Sequence, residues 1–308
     1  MYDTNIKQEY IKYNPNNNHQ FEKIMTNYFN RAEETEKRLG KDLSQFTSAE
    51  IMAMYKEFAT PSFSMLVVIN NQFLNYTNWY MQNIENKDNQ NHYMELRDDI
   101  LVQCVSYSAA KQNILSREEL LDMIKEFANP YEQFLYLGLF EGIRGEQMSD
   151  FFDLRMSNFD RKKKTVLLPE DRVIPASDEL IHYAEDSSNE YIIYNIAGEA
   201  TRRGRFLEQD DRIIKCSASV GFETQKSERA VIVYRMLRKI KRYDFVPRSL
   251  SATSIFESGR IHLVRELMKG GDEVDVVLRN NRALIEERYG FIPSVPKWLL
   301  KYGDFCKR

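Results

Sequence analysis

From Phe21 onward, apolar residues recur at helical spacing: Phe21, Ile24, Met25, Tyr28 and Phe29 stand at i, i+3, i+4, i+7 and i+8 and share one face. Thr47 with Glu50 three residues later makes a capping box, opening a helix through Ile51, Met54, Tyr55 and Phe58. Pro61-Ser62 starts a third, strongly apolar helix carrying Met65, Ile69, Phe73, Leu74 and Trp79. Ahead of these, residues 1–18 are Asn-rich and lack a period, which predicts a loose arm. After an Asn-rich charged interruption at 86–91, a further helix is expected over 95–110. Residues 1–110 therefore read as one helical domain.

A boundary falls near Asn113-Ile114-Leu115, because Ser116 with Glu119 caps a new helix. The second domain, 111–308, is expected to begin with helices at 117–127, 131–141 and near 146–153. The period then changes from helical to extended. Residues 164–168 and 172–175 read as two short strands joined by a Pro169-Glu170-Asp171 turn, with a second extended region over 191–216. Helices are predicted again over 227–243, 249–258, 261–269 and 274–288. After Pro293 the tail carries Val295, Trp298, Leu299, Leu300, Tyr302 and Phe305, apolar enough to require a docking surface on its own domain or on a second copy. The fold class is mainly α with a small antiparallel sheet (α+β), in two domains.

A composition of 43% apolar and 29% charged residues over 308 positions is that of a globular protein with room for two cores. No segment reaches the roughly 18 uncharged apolar residues of a membrane helix, and a cytoplasmic location is expected. Cys104, Cys216 and Cys306 are odd in number and far apart, and His19, His92, His182 and His262 are scattered, so neither a disulfide framework nor a metal site is indicated. No cofactor is expected.

The net charge of −3 hides a division along the chain. Residues 1–110 carry 10 Lys and Arg against 14 Asp and Glu, whereas 228–248 alone hold seven basic residues against two acidic. Polyanion binding depends on such a local field rather than on the total. The helix over 227–243 opens at Ser227, a good N-cap. It sets Arg235, Arg238, Lys239 and Arg242 at i, i+3, i+4 and i+7 as one basic stripe, with Val231, Tyr234, Leu237 and Ile240 making apolar contacts elsewhere. Arg202, Arg203 and Arg205 form a compact basic loop suited to a neighbouring phosphate. Lys162-Lys163-Lys164 either does likewise or solubilises a turn.

Gly138-Leu139-Phe140-Glu141-Gly142-Ile143-Arg144-Gly145-Glu146-Gln147 is similar to the first signature box of the tyrosine recombinase (phage integrase) family, with Arg144 on its invariant arginine. Asp153-Leu154-Arg155, Phe159-Asp160 and Arg172-Val173-Ile174-Pro175 follow the same pattern. Phe245-Val246-Pro247-Arg248-Ser249-Leu250 with Glu257-Ser258-Gly259 looks like the second box, which places Arg248 on its arginine. The resemblance covers about residues 21–290, and in it the helix from Pro61 to Trp79 matches the last core-binding helix, which helps clamp DNA. It implies a core-binding domain followed by an integrase catalytic-type domain.

The departures concentrate on chemistry. Phe245 falls on the family's histidine and Ser249 on the residue after the arginine; the strand turn that should present a lysine has Glu170 or Asp171. Gly271 stands near the third histidine or tryptophan, and the nucleophilic tyrosine falls on about Asn280. Tyr289, nine residues later, is the competing nucleophile. Phosphodiester cleavage by a phenol of unperturbed pKa about 10 needs activation, a proton donor for the leaving oxygen and charge clamps on the phosphate. Asparagine cannot attack, phenylalanine cannot donate a proton, and a carboxylate repels phosphate.

What remains is a pair of guanidiniums able to fork onto one backbone phosphate. The resemblance thus implies a sequence-specific double-stranded DNA-binding protein without catalytic residues, not an enzyme. It is similar to the repressors that maintain lysogeny in SPβ-type prophages, and the Asn- and Lys-rich, Gly-poor composition fits a phage of a low-GC bacterium. Such a role implies an operator duplex, residence on the host nucleoid and a phage-encoded antagonist, with self-association through the tail as a further contact. The alternatives are an active recombinase using Tyr289, or a non-catalytic accessory protein that binds partners through its acidic N-terminal domain.

Overall fold

The computed structural model describes residues 1–15, 18–84, 90–195, 197–199, 210–215, 226–292 and 294–307, with only the backbone at 226–229 and 269. The chain folds as two compact units, Met1–Lys111 and Gln112–Arg308.

Among the described residues the regular elements of the first unit are all helical: α1 (Thr4–Tyr13), α2 (His19–Leu39), α3 (Ser48–Glu57), α4 (Phe63–Asn83), α5 (Asp98–Leu101) and α6 (Tyr107–Lys111). Its helices start where local chemistry dictates. The Asn18 and Ser62 side chains accept from the backbone N–H groups of Phe21 and Met65, and Thr47 and Glu50 form the reciprocal capping box. Gly40 ends α2 in the left-handed conformation that spares a side chain its steric penalty. Met25, Phe29, Ile51, Met54, Tyr55, Leu66, Ile69, Phe73 and Tyr76 form the core, while Ile24, expected on the buried face, is 39% exposed.

Two expectations fail in this unit. The loose arm is largely α1, held by the fully buried Lys7, whose ammonium pairs with Glu36 at 2.5 Å and Asp42 at 3.3 Å and donates to the Tyr2 carbonyl. A buried charge needs such partners, and no apolar period announces it. The helix expected over 95–110 is broken into short turns, because Ser106 donates its N–H to the Thr60 carbonyl and draws the chain out of the helical path at Val105.

The second unit is built around α8 (Pro130–Glu141), in which every residue from Phe134 to Glu141 is buried. A helix apolar on all sides belongs inside. Before it comes α7 (Arg117–Ile124), capped by the Ser116–Glu119 box. After it come β1 (Phe159–Asp160), β2 (Thr165–Leu167) and β3 (Val173–Pro175), an antiparallel sheet in that order. Phe159 pairs with Val166 and Val166 with Ile174, giving one buried row across the sheet. Then follow α9 (Asp178–Asn189), α10 (Lys226–Ile240), α11 (Ala252–Leu267), α12 (Val274–Asn280), α13 (Arg282–Tyr289) and α14 (Val295–Cys306).

Here too the sequence reading needs correction. Strand β1 and helix α9 were not anticipated, although Ser177 caps α9 and Leu180, Ile181 and Ala184 bury one face. Helix α11 runs unbroken through Gly259 where two helices were expected, and the helix expected at 274–288 is divided at Asn281, whose side chain donates to the Val277 carbonyl. The expected helix near 146–153 is a 3-10 turn, Glu146–Phe151, with Gln147 and Met148 left-handed. Among the described residues of 191–216 there are isolated bridges, such as Arg212 with Arg155, and no strand. Helix α10 begins at Lys226, one residue ahead of the Ser227 expected to cap it.

The tail docks on its own domain. Helix α14 lies against α11 and α12, Trp298 donates its indole N–H to Glu257 at 3.1 Å, and Arg265 donates to the Phe305 carbonyl at 2.8 Å. Among the described residues no cluster could hold a metal, and no helix is long and apolar enough to cross a membrane.

Candidate nucleic-acid interface

Arg144 sits on the loop that leaves α8. Gly142 ends the helix at φ 108°, and a Cβ there would overlap the Arg288 carbonyl; Gly145 follows at φ 62°, where a Cβ would overlap Ser149. Only glycine fits either place. Between them Ile143 is buried, and the Arg144 N–H donates to Asp150 at 2.8 Å. The Arg144 guanidinium reaches α11, donating to the Thr253 hydroxyl at 3.3 Å and lying 5.0 Å from the Phe256 ring centroid. Arg260 lies 5.4 Å from the same ring.

Arg248 is exposed on the turn leading into α11, where Leu250 donates to the Pro247 carbonyl. Lys241 donates to the Arg248 carbonyl at 3.3 Å, fixing the backbone of that turn. Ser251 then caps α11 with Ser254. The Arg144 guanidinium thus reaches the first turn of α11, and Arg248 lies in the turn that precedes it; a helix N-terminus favours an anion.

The other positions singled out in the sequence carry side chains of another kind. Phe245 is 45% exposed and stacks on Phe127 and Tyr243, at centroid distances of 5.9 and 5.1 Å. Ser249 is exposed, Glu170 and Asp171 form an exposed left-handed turn, Gly271 is a left-handed helix end, and Asn280 is the exposed last residue of α12. Tyr289 is 4% exposed, and its hydroxyl donates to the Phe140 carbonyl at 2.7 Å. Burial holds that phenol well above its usual pKa.

Helix α10 presents a mixed face. Arg235 and Arg238 are exposed, Arg242 is exposed in the turn beyond, and Val231 and Tyr234 are exposed beside them at i, i+3 and i+4. Leu237 and Ile240 are buried as anticipated, but Val231 and Tyr234 share the basic face instead of packing elsewhere. Lys239 leaves the stripe: its ammonium pairs with the buried Glu132 at 3.3 Å and donates to the Tyr131 hydroxyl and the Tyr194 carbonyl. Its side chain follows the helix toward Glu132, which Tyr243 also holds at 2.7 Å. Lys163 and Lys164 pair with Asp160 and Asp178, while Lys162 is exposed. Arg202, Arg203 and Arg205 lie outside the described residues.

Four residues that shape this surface were not picked out as site residues: Asp150, Arg172, Thr253 and Phe256. Each acts through a partner far away in sequence, and no spacing rule reveals that.

A family model described as the MrpR C-terminal catalytic domain matches residues 114–298, and one described as the MrpR N-terminal core-binding domain matches residues 1–82. The chain belongs to the MrpR family. The two domains in this order, on a chain whose described residues are mainly helical with a small antiparallel sheet, give this MrpR-family protein a tyrosine recombinase-like fold. Among solved structures it is similar to the crystal structure of XerA recombinase, at 9% identity and a TM-score of 0.39, covering 97% of this chain and 93% of that one. It is also similar to the Tn1549 transposon integrase (residues 82–397) in complex with circular intermediate DNA, at 13% identity and a TM-score of 0.35, covering 96% of each chain. Neither likeness is close enough to transfer a residue. No curated protein matches.

Proposed function

We propose that this MrpR-family chain is a sequence-specific double-stranded DNA-binding protein that holds a backbone phosphate without cleaving it, and that it acts as a transcriptional repressor maintaining lysogeny of a phage or prophage in a bacterial cytoplasm. One observation carries the reading: the Arg144 guanidinium reaches the first turn of α11, and Arg248 is exposed in the turn that precedes that helix. Guanidiniums fork onto phosphate oxygens and stay charged at any physiological pH. Phe245, Ser249, Glu170, Gly271 and Asn280 supply no histidine, lysine or phenol at the family positions. The internal hydrogen bond of Tyr289 counts against that tyrosine as a displaced nucleophile. Repression requires only occupancy of the duplex.

The exposed face of α10 suits readout of sequence. Arg235 and Arg238 offer donors to guanine edges or phosphates, and Val231 and Tyr234 offer apolar contact to thymine methyl groups. The N-terminal core-binding domain adds backbone contacts. The burial of Trp298, Phe305 and Cys306 on their own domain counts against self-association through the tail.

Selection of bound duplexes from a random-sequence pool, followed by gel shift and incubation with a nicked suicide substrate, tests the reading. The expected result is a retarded, salt-sensitive complex on a defined sequence and no covalent adduct. An adduct would restore the recombinase, and no retarded duplex at low salt would favour an accessory protein acting through protein partners.

A further inference from the structure

The loop that carries Arg144 is closed by its own bonds, the Arg144 N–H donating to the Asp150 carboxylate and the Asp150 N–H to the Arg144 carbonyl. Gly142, Gly145, Gln147 and Met148 all have positive φ, and the last two bear side chains for which that conformation is unfavourable. A contact from outside that holds Asp150 would therefore hold the loop. Arg172, the residue before β3, makes such a contact. Its Nη1 donates to the carbonyls of Gly142 at 3.3 Å and Arg288 at 3.0 Å, and its Nη2 pairs with Asp150, whose same oxygen accepts the Arg144 N–H at 2.8 Å.

The end of α13 closes the arrangement from the other side. Arg288 donates Nε to the Glu141 carbonyl at 2.9 Å, the Tyr289 hydroxyl bonds the Phe140 carbonyl at 2.7 Å, and Arg260 donates to the Tyr289 carbonyl at 2.5 Å. The end of α8, the loop, the start of β3 and the end of α13 are therefore laced together. A planar fork with five donors can serve three acceptors at once, which an ammonium on a flexible stem does not reproduce. The Arg144 guanidinium, by contrast, has the Thr253 hydroxyl as hydrogen-bond partner and no carboxylate among the described residues. Its backbone is fixed and its charge is left for a ligand, the arrangement that lowers the entropic cost of binding.

We infer that Arg172, with Asp150 and the C-terminal end of α13, positions Arg144 for phosphate binding, so that α13 is a brace for the binding loop. This rests on the phosphate-binding role proposed for Arg144.

Two readouts test it separately. Hydrogen exchange of the peptide over 142–150 in Arg172→Gln is expected to quicken by about tenfold or more, with the rest of the chain unchanged. On the duplex that the wild type selects, Arg172→Gln is expected to bind about tenfold more weakly, and by less than about twofold when Arg144→Ala is already present, because a residue acting through Arg144 has nothing left to position. Should Arg172→Gln fail to fold, Arg172→Lys keeps the charge and carries the same two measurements. Unchanged exchange over 142–150 overturns the proposal, and so do additive losses in the double mutant, which would make Arg172 an independent DNA contact. If the wild type binds no duplex, the phosphate reading fails, and the exchange result alone decides whether Arg172 holds the loop.

Discussion

Gly259 of α11 lies against the carbonyl oxygen of Phe140 on α8, so closely that a Cβ on Gly259 would overlap that oxygen. The two helices cross at backbone contact, and the Tyr289 hydroxyl uses the same carbonyl. Gly259→Ala must push the helices apart. The expected loss is at least about 1–3 kcal/mol, the range for overpacking, and thermal melting measures it; an unchanged melting temperature would contradict the crossing.

Tyr289→Phe removes one buried hydrogen bond. A loss of about 1 kcal/mol in stability is expected, by urea titration, while adduct formation on a suicide substrate stays at zero in both proteins.

Arg144→Ala and Arg248→Ala are each expected to weaken DNA binding by about 1.5–3 kcal/mol, the range for charge-assisted hydrogen bonds. Every DNA phosphate that a variant leaves unneutralised also makes the slope of log K against log salt shallower by about 0.9. Wild-type affinity in both variants, read by anisotropy across a salt series, would remove the basis of the proposed function.

Lys239 and Arg238 are neighbours in sequence with opposite expected phenotypes. Lys239→Met leaves Glu132, fully buried, without its cation and costs about 1–3 kcal/mol of stability, whereas Arg238→Ala is expected to keep the melting temperature and lose DNA affinity. A calorimetric scan beside a gel shift separates the two.

Glu36 sets a pH dependence in the first unit. Burial pushes its carboxyl up to about 7, Asp42 adds to the rise, and Lys7 opposes it. The folded state then binds more protons than the unfolded one, so stability grows as the pH falls through about 7 and is fully gained below the ordinary value of 4.5. His262, in the other unit, is held below its usual value by burial and has the opposite sign. The decisive measurement is therefore the difference between wild type and Glu36→Gln. The melting-temperature gain from pH 8 to pH 5.5 should shrink in the variant, and an equal gain would exclude Glu36 as its source.

Features that depend on neighbours a few residues apart were legible from the start. The capping boxes at Thr47 and Ser116, the buried face of Met25, Tyr28 and Phe29, and the sheet over 165–175 follow from local hydrogen bonding and from the period of apolar residues. The same reasoning failed where a distant partner overrides it. Lys7 turns an aperiodic arm into a helix, Thr60 breaks the helix expected over 95–110, and the Phe140 carbonyl requires a glycine inside α11 rather than at its end.

The two arginines of the proposed binding surface were visible as sequence motifs, whereas the hydrogen bonds that fix the Arg144 backbone were not. Sequence by itself determined which residue types stand at these positions, since charge and proton affinity are properties of residue type. Only the tertiary structure decided that Lys239 belongs to Glu132 and not to the basic face, and that Arg172 and Asp150 stand behind Arg144. A long flexible side chain reaches partners on several elements, and which it takes is settled by how the elements pack.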